Sequence, residues 1–504
     1  MHYDTIIVGA GAAGAILAAR LSEDPTRSVL LLEAGPDYPT LESLPDDLKY
    51  GYGTPAGILT GSHDWGYTSE ATPVARQPVP RGRVTGGSST VNAQVFLRGV
   101  PEDFAAWSAC GNDQWTFEHT LPYFRKLETD LDFQDEYHGA DGPILVRRYP
   151  ANEWLPDQAA FYRACRDAGF PDCPDHNRPY TTGTGPYPLN NHQQIRQSTL
   201  LRYLNPARDR PNLTICAHTQ VRRLLFHVKQ IVGVEATVGG EATTFHGDEV
   251  IVSAGAIGSP HLLLLSGIGP AQQLRQHEIA VIADLPGVGQ NLRDHPAANL
   301  YWALHDDFVV SGQSHWHQVG LRYTADGSTL PNDMIVYIGA LPSDRKLLLR
   351  PTVNLQLSAG EVTLLNADPA QHPQINYRYL SDPFDRKRLR ECVRLCQALV
   401  EGGAFAGLIT ERLQPLPEDL AADAALDTWL MHAVNTGHHS SGTCKMGPPT
   451  DPLAVVDQSG RVYGVEGLRV VDASIMPDCV RANTNATTMM MAEYIAAMIT
   501  AAGG

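Results

Sequence analysis

Three stretches of this chain carry residue types able to do chemistry. Near the C-terminus, Asn435-Thr436-Gly437-His438-His439-Ser440-Ser441-Gly442-Thr443 sets two histidines among glycines and serines. A neutral imidazole accepts a proton near neutral pH, so a histidine here is a candidate general base ionising in the imidazole range. The bland alternative is a surface or satisfied core histidine in a small-residue loop. Ser440 and Ser441 lack the strand–elbow pattern that exposes a nucleophile. Farther on, Ala482-Asn483-Thr484-Asn485 leads into an apolar run. An asparagine amide can donate to a forming alkoxide without bringing a charge that disturbs a base. At the N-terminus, Ile6-Ile7-Val8 runs into Gly9-Ala10-Gly11-Ala12-Ala13-Gly14, then a helical stretch, then Val29-Leu30-Leu31-Leu32 closed by Glu33. This is a GxGxxG turn between strand and helix, with an acidic residue ending the second strand: the dinucleotide fingerprint. Gly9 permits the turn, Gly11 lets the backbone approach a pyrophosphate, and Gly14 lets helix pack on strand. Glu33 can accept from ribose hydroxyls. The fingerprint alone does not choose between FAD and NAD.

These residues need a large frame. At 504 residues the chain exceeds one core, so two domains or one with large insertions are expected. The formal net charge of −17 speaks against nucleic acid and an anionic membrane surface as partners. No basic leader precedes the first strand. The longest apolar stretches, Leu262–Leu265 and Met489–Met498, are too short or broken by Glu493, so a soluble cytoplasmic protein without membrane insertion is expected. The eight cysteines form no CxxC pair and suit a reducing compartment, with Cys392 and Cys396 read as small buried residues on one helix face. No Asp, Glu or His spacing suggests a metal. Pro171 to Pro188 reads as a long loop. Between Arg293 and Trp429, Met334-Ile335-Val336-Tyr337-Ile338 and Val353-Asn354-Leu355-Gln356-Leu357 suggest antiparallel strands with one covered face. A structural helix around Phe384–Leu399 follows, and a last helix covers Met489–Ile499. Trp302, Phe308, His315, Trp316, His317, Tyr323 and Tyr337 are candidates for a pocket lining, with core packing an equal explanation. The region holds no basic cluster, which points away from a highly anionic substrate.

Pro80-Arg81-Gly82-Arg83-Val84-Thr85-Gly86-Gly87-Ser88-Ser89-Thr90-Val91-Asn92 resembles the first signature of the glucose–methanol–choline (GMC) oxidoreductase family. Ser253-Ala254-Gly255-Ala256-Ile257-Gly258-Ser259-Pro260, running on to Ser266-Gly267-Ile268-Gly269-Pro270, resembles the second. Gly467-Leu468-Arg469-Val470-Val471-Asp472-Ala473-Ser474 resembles the strand that returns to the flavin. The matches run end to end in the family's order, and the general likeness is to bacterial choline-dehydrogenase-like and hydroxymethylfurfural-oxidase-like members. The resemblance implies FAD rather than NAD. It also implies a discontinuous Rossmann-like α/β domain (1–150, 196–290 and 437–504) under an α+β substrate domain on a mostly antiparallel sheet (151–195 and 291–436). It sets Gly86, Gly87, Ser88 and Asn92 against the cofactor, Val221 at the adenine through its backbone, and Asp472 with Ala473 near the phosphates and ribityl chain. Ala12, Ala13, Ala34 and Thr484 join the expected cofactor contacts. Trp65 is a candidate to flank the cofactor or a buried structural tryptophan. Some members attach FAD through a histidine just before the signature asparagine. Val91 stands there, so FAD is expected to be non-covalent.

The family writes its base as His-x-x-Gly-Thr, and His439 holds that spacing; Asn483 aligns with the second active-site position. His438 reads as a neighbour whose backbone lines the flavin. The expected function is oxidation of an alcohol to a carbonyl by hydride transfer to flavin, with oxygen or another electron acceptor following. Two rivals remain at this level: a hydroxynitrile-lyase-like enzyme on the same fold, and a non-catalytic flavoprotein.

Overall fold

The computed structural model describes residues 2–50, 61–309 and 315–503. Ile6, Ile7 and Val8 are buried in the strand His2–Val8, which pairs in parallel with Val29–Leu32 on one side and Glu241–Val252 on the other. Leu213–Cys216 extends this sheet beyond Val29–Leu32, and Leu468–Val470 joins the end of Glu241–Val252, both in parallel. Strands covered on both faces read as unbroken apolar runs, which is why Val29–Leu32 shows no alternation. Thr219–His227, Gln230–Val238 and Glu241–Val252 form an antiparallel meander on the other flank. The helix Gly14–Leu21 packs against the C-terminal helix Thr484–Gly503, longer than the sequence expectation. Glu493, which breaks the apolar run of that helix, is fully buried and held by Arg20 at 2.7 Å, Lys126 at 2.8 Å and the Tyr203 hydroxyl at 2.9 Å. A buried carboxylate needs such partners. No helix among the described residues is long and apolar enough to cross a membrane.

The second sheet runs Ile409–Gln414, Leu300–Leu304, Lys346–Val353, Met334–Leu341, Val319–Tyr323 and Gly183–Pro186, antiparallel throughout. Three details depart from the sequence expectation. First, the stretch read as a loop contributes the edge strand Gly183–Pro186. A Cβ at Gly183 or Gly185 would stand 2.1 Å from Pro171 O or 1.8 Å from Cys173 O. Close backbone approach at an edge therefore selects residues that propensity reads as loop. Second, Met334–Leu341 is buried on both faces, not one. Helices Pro156–Asp167 and Pro383–Glu401 cover one face, and the other roofs a cavity. Third, the strand entering Val353 stops there. Asn354 donates its side-chain amide to Arg481 O at 2.7 Å, and the Asp385 carboxylate accepts from Leu357 N at 3.0 Å, replacing ladder partners. Cys392 and Cys396 are both buried on Pro383–Glu401.

Candidate active site

A cavity of about 780 Å³ lies between the two sheets, lined by Val8, Leu32, Ser253 and Asp472 at or just beyond the carboxyl ends of the parallel strands. Open α/β sheets bind ligands there, and the volume sits within the roughly 300–1,000 Å³ of cofactor pockets.

One end is built from backbone. Gly9 has a φ of +98°, and a Cβ on it would meet Ser253 O at 2.6 Å. Gly11 faces open space, with Ser253 O, 3.9 Å away, the nearest atom to an added Cβ. Gly87 crosses it so closely that a Cβ there would stand 2.7 Å from Gly11 Cα. Ala12, Ala13, Ala34, Gly87, Ser88 and Val221 line this part. Glu33 is buried and accepts from Ala10 N at 3.0 Å and Gly35 N at 2.8 Å. Burial pushes its carboxyl up to about 7, against the pull of those amides and of Arg83. Gly14, read as the glycine that lets helix pack on strand, does not line the cavity, and neither does Gly86, which the resemblance set against the cofactor. A Cβ on Gly14 would sit 1.9 Å from Gly9 O, and Gly86 donates its N–H to Ala10 O at 2.6 Å. Both shape the turns that carry the lining residues.

Toward the middle, Asp472 takes Gly255 N at 2.8 Å and Ser259 Oγ at 2.5 Å on one oxygen and Ser474 N at 2.7 Å on the other. Ala473, Asn92 and Thr484 line the wall beside it. Trp65 also lines the cavity, stacked on Tyr67 with centroids 5.8 Å apart and under the Arg83 guanidinium at 5.1 Å. Asn485 presents a buried amide nitrogen with no protein partner. An FAD fits these features: bare backbone at Gly11, where an added Cβ would come no nearer than 3.9 Å to any atom, and at Gly255, where it would meet nothing within 4 Å, and an orphaned donor at Asn485.

The other end is built from side chains. His439 Nε2 lies 3.0 Å from Asn483 Nδ2, and Asn483 Oδ1 accepts from the Tyr337 hydroxyl at 3.4 Å. That contact orients the amide so that its N–H groups face the imidazole. On the far side His439 Nδ1 lies 2.9 Å from His295 Nδ1, whose Nε2 is 3.1 Å from Cys479 Sγ. Asp294 Oδ1 accepts from the backbone N–H of both His439 and His295 at 2.7 Å. Its Oδ2 takes the Tyr379 and Thr436 hydroxyls at 2.6 and 2.5 Å. Burial, then the neighbouring His295 and His438, holds His439 well below the usual imidazole range; burial brings His295 to about 4. Both rings are therefore neutral near pH 7. His438 lines the cavity with a φ of 69°.

Asp294 and His295 escape the sequence reading because the His295–His439 contact spans 144 residues. The available signal is two adjacent titratable residues, Asp294-His295, in a stretch without regular structure. Of the aromatic and histidine candidates, Trp316, His317 and Tyr337 line the cavity. Trp302 is core, Tyr323 packs on Phe170, Phe308 packs from the edge against the apolar core of the antiparallel sheet, and His315 is tied to Ala93 O at 3.0 Å. Glu128, Asp130 and His138 converge elsewhere, but Arg98 and Arg148 already pair with the two carboxylates.

Residues 3–297 and 356–492 match the two GMC oxidoreductase profiles. The chain is 38% identical to mitochondrial choline dehydrogenase of Mus musculus, over 99% of this chain and 89% of that protein. It is also 38% identical to 5-(hydroxymethyl)furfural oxidase of Methylovorus sp., over 98% of both. The crystal structure of pyridoxine 4-oxidase from Mesorbium loti superposes with a TM-score of 0.92 at 31% identity, covering 99% of each chain.

Proposed function

The chain belongs to the GMC oxidoreductase family, and on that premise we propose that it oxidises an alcohol to a carbonyl, with His439 as base and Asn483 as the donor to the substrate oxygen. FAD, when bound, supplies the hydride acceptor. The single observation that carries the reading is the 3.0 Å approach of His439 Nε2 to Asn483 Nδ2 on the cavity wall. With Nε2 accepting, His439 carries its proton on Nδ1 and donates it to His295 Nδ1; His295 then donates from Nε2 toward Cys479 Sγ. A substrate hydroxyl entering between the pair gives its proton to Nε2 and accepts from the amide. The new imidazolium keeps its Nδ1–H bond to neutral His295, and Asp294 pins both backbones. The proton leaves the oxygen as the carbon loses hydride, so neither step waits for an unstable intermediate.

In the same reading residues 1–150, 196–290 and 437–504 hold FAD, and 151–195 with 291–436 cover it. Val91 is aliphatic, so the flavin is held without a covalent bond, and acid precipitation releases all of it. Oxygen or another acceptor takes the electrons afterwards. The eight free cysteines suit a reducing compartment, and the cytoplasm remains our reading of its location. The test is anaerobic mixing with a panel of primary and secondary alcohols. Bleaching of the flavin is expected; a flavin that stays oxidised while a cyanohydrin is cleaved would identify the lyase instead, and no response to any ligand a binding protein.

A further inference from the structure

The antiparallel roof carries a cation that the proposed chemistry does not use. Arg350 stands directly across the strand pair from Tyr337, whose hydroxyl reaches Asn483, so its side chain shares the cavity face with the reactive end. Its guanidinium donates from Nη1 to Asn299 Oδ1 at 3.1 Å, and from Nη2 to Asn435 Oδ1 at 2.8 Å and to Thr436 O. All three acceptors are neutral. A guanidinium has five N–H groups; three bonds leave two of them, on Nε and Nη1, without a partner among the described residues.

Other buried arginines are treated differently. Arg388 is paired with Asp333 and Asp385, and Arg148 with Asp130 and Asp175. Arg196 and Arg322 lack carboxylates but donate to backbone carbonyls away from the cavity, and the Nε and Nη1 of Arg322, which keep no partner, are sealed in the core rather than facing the pocket. Among the described residues no carboxylate forms an ion pair with Arg350, and Asp294, whose field acts on it, is occupied by two hydroxyls and two amides. Of the acidic cavity residues, Glu33 at the other end is bound by backbone, Asp472 toward the middle is held by two amides and a serine hydroxyl, and Asp344 is exposed at the rim. Arg81, on the loop side, adds a second guanidinium; it donates to Pro80 O and Ser440 Oγ and has no ion pair either.

We propose that Arg350 is a carboxylate-binding residue of the substrate pocket, and that the preferred alcohols carry a carboxylate away from the reacting carbon. A planar fork with free donors matches a carboxylate, and in a pocket shielded from water such a charge-assisted bond is strong. One cation suffices for a monoanion, so the lack of a basic cluster in the sequence does not argue against it. The inference rests on the alcohol-oxidation reading and deepens it.

Two matched pairs test it: 4-(hydroxymethyl)benzoate against its methyl ester, and 6-hydroxyhexanoate against 1-hexanol. The wild-type enzyme should favour the acid at least ~10-fold in kcat/KM. Arg350→Met should cut that preference about 10- to 100-fold, mainly through KM, and Arg350→Lys should retain part of it. Benzoate, which has no hydroxyl to oxidise, gives a second readout: its binding, followed by flavin difference absorbance, should weaken at least ~10-fold in Arg350→Met and less in Arg350→Lys. Neutral alcohols that bleach the flavin as well as their acids do, or equal benzoate binding in wild type and Arg350→Met, overturn the carboxylate site and leave alcohol oxidation standing. Benzoate held through Arg350 by an enzyme that no alcohol bleaches has the reverse meaning.

Discussion

At one end of the cavity Gly9, Gly11 and Gly87 bring backbone against backbone, and the Glu33 carboxyl there is buried under two amides. At the other end His439, Asn483, His295 and Asp294 meet through side chains, or a side chain on a backbone amide, and the contacts cross up to 145 residues of chain. The first end resists substitution at Gly9 and Gly87, where an added Cβ collides with backbone. The second tolerates the fold's variation but loses its chemistry if one functional atom is missing. In the proposed function binding and reaction are thus separable, and mutants should divide accordingly.

The largest expected effect is at the reactive end. His439→Ala should lower the anaerobic rate of flavin reduction by ~10²–10⁴-fold, the usual cost of losing a general base. Flavin content should be retained. Asn483→Ala should cost about 10²-fold, as for one donor to a developing oxyanion. The double variant should lose less than the product, because both act on one oxygen. A His439→Ala enzyme that reduces its flavin at near wild-type rate would erase the distinction between the two ends.

Next in size is Glu33→Ala, which removes an acceptor from two buried amides as well as from the proposed ribose site. Hydrogen bonds to a charged group are worth about 1.5–3 kcal/mol, so FAD should dissociate ~10- to 100-fold more readily, measured by flavin content after gel filtration. Equal content in variant and wild type would take Glu33 out of the binding end.

The smallest effect sharpens the reactive end itself. The proposed base works deprotonated, so kcat/KM rises with pH through the His439 pKa and is flat above it. Burial and the neighbouring histidines hold that pKa well below its usual 6.5, so the rise belongs on the acid side of the ordinary imidazole range. His295→Asn removes one of those neighbours and should move the limb to higher pH, with a rate loss of roughly 10-fold from the less well held tautomer. A pH limb that stays in place in His295→Asn would reduce His295 to packing.

The unequal legibility of these two ends has a physical cause. Strand, glycine turn, helix and Glu33 are neighbours in sequence because a nucleotide turn is a local object, so its spacing is visible in the first thirty-three residues. Gly14 packs helix on strand as its place in the turn requires, whereas the close packing of Gly86 against Ala10 O is visible only from neighbouring atoms. The edge strand Gly183–Pro186 was hidden for the same reason, its residues chosen by approach distance rather than by propensity. By itself the sequence determined the form of the glycine turn, the order of the family's motifs and the candidate pair His439 and Asn483. Only the tertiary structure decided that Asp294 and His295 stand behind the imidazole, that burial keeps it neutral, and that Arg350 faces the cavity without a carboxylate. Those properties depend on which surfaces water leaves and which strands lie side by side, and neither is written at any fixed spacing along the chain.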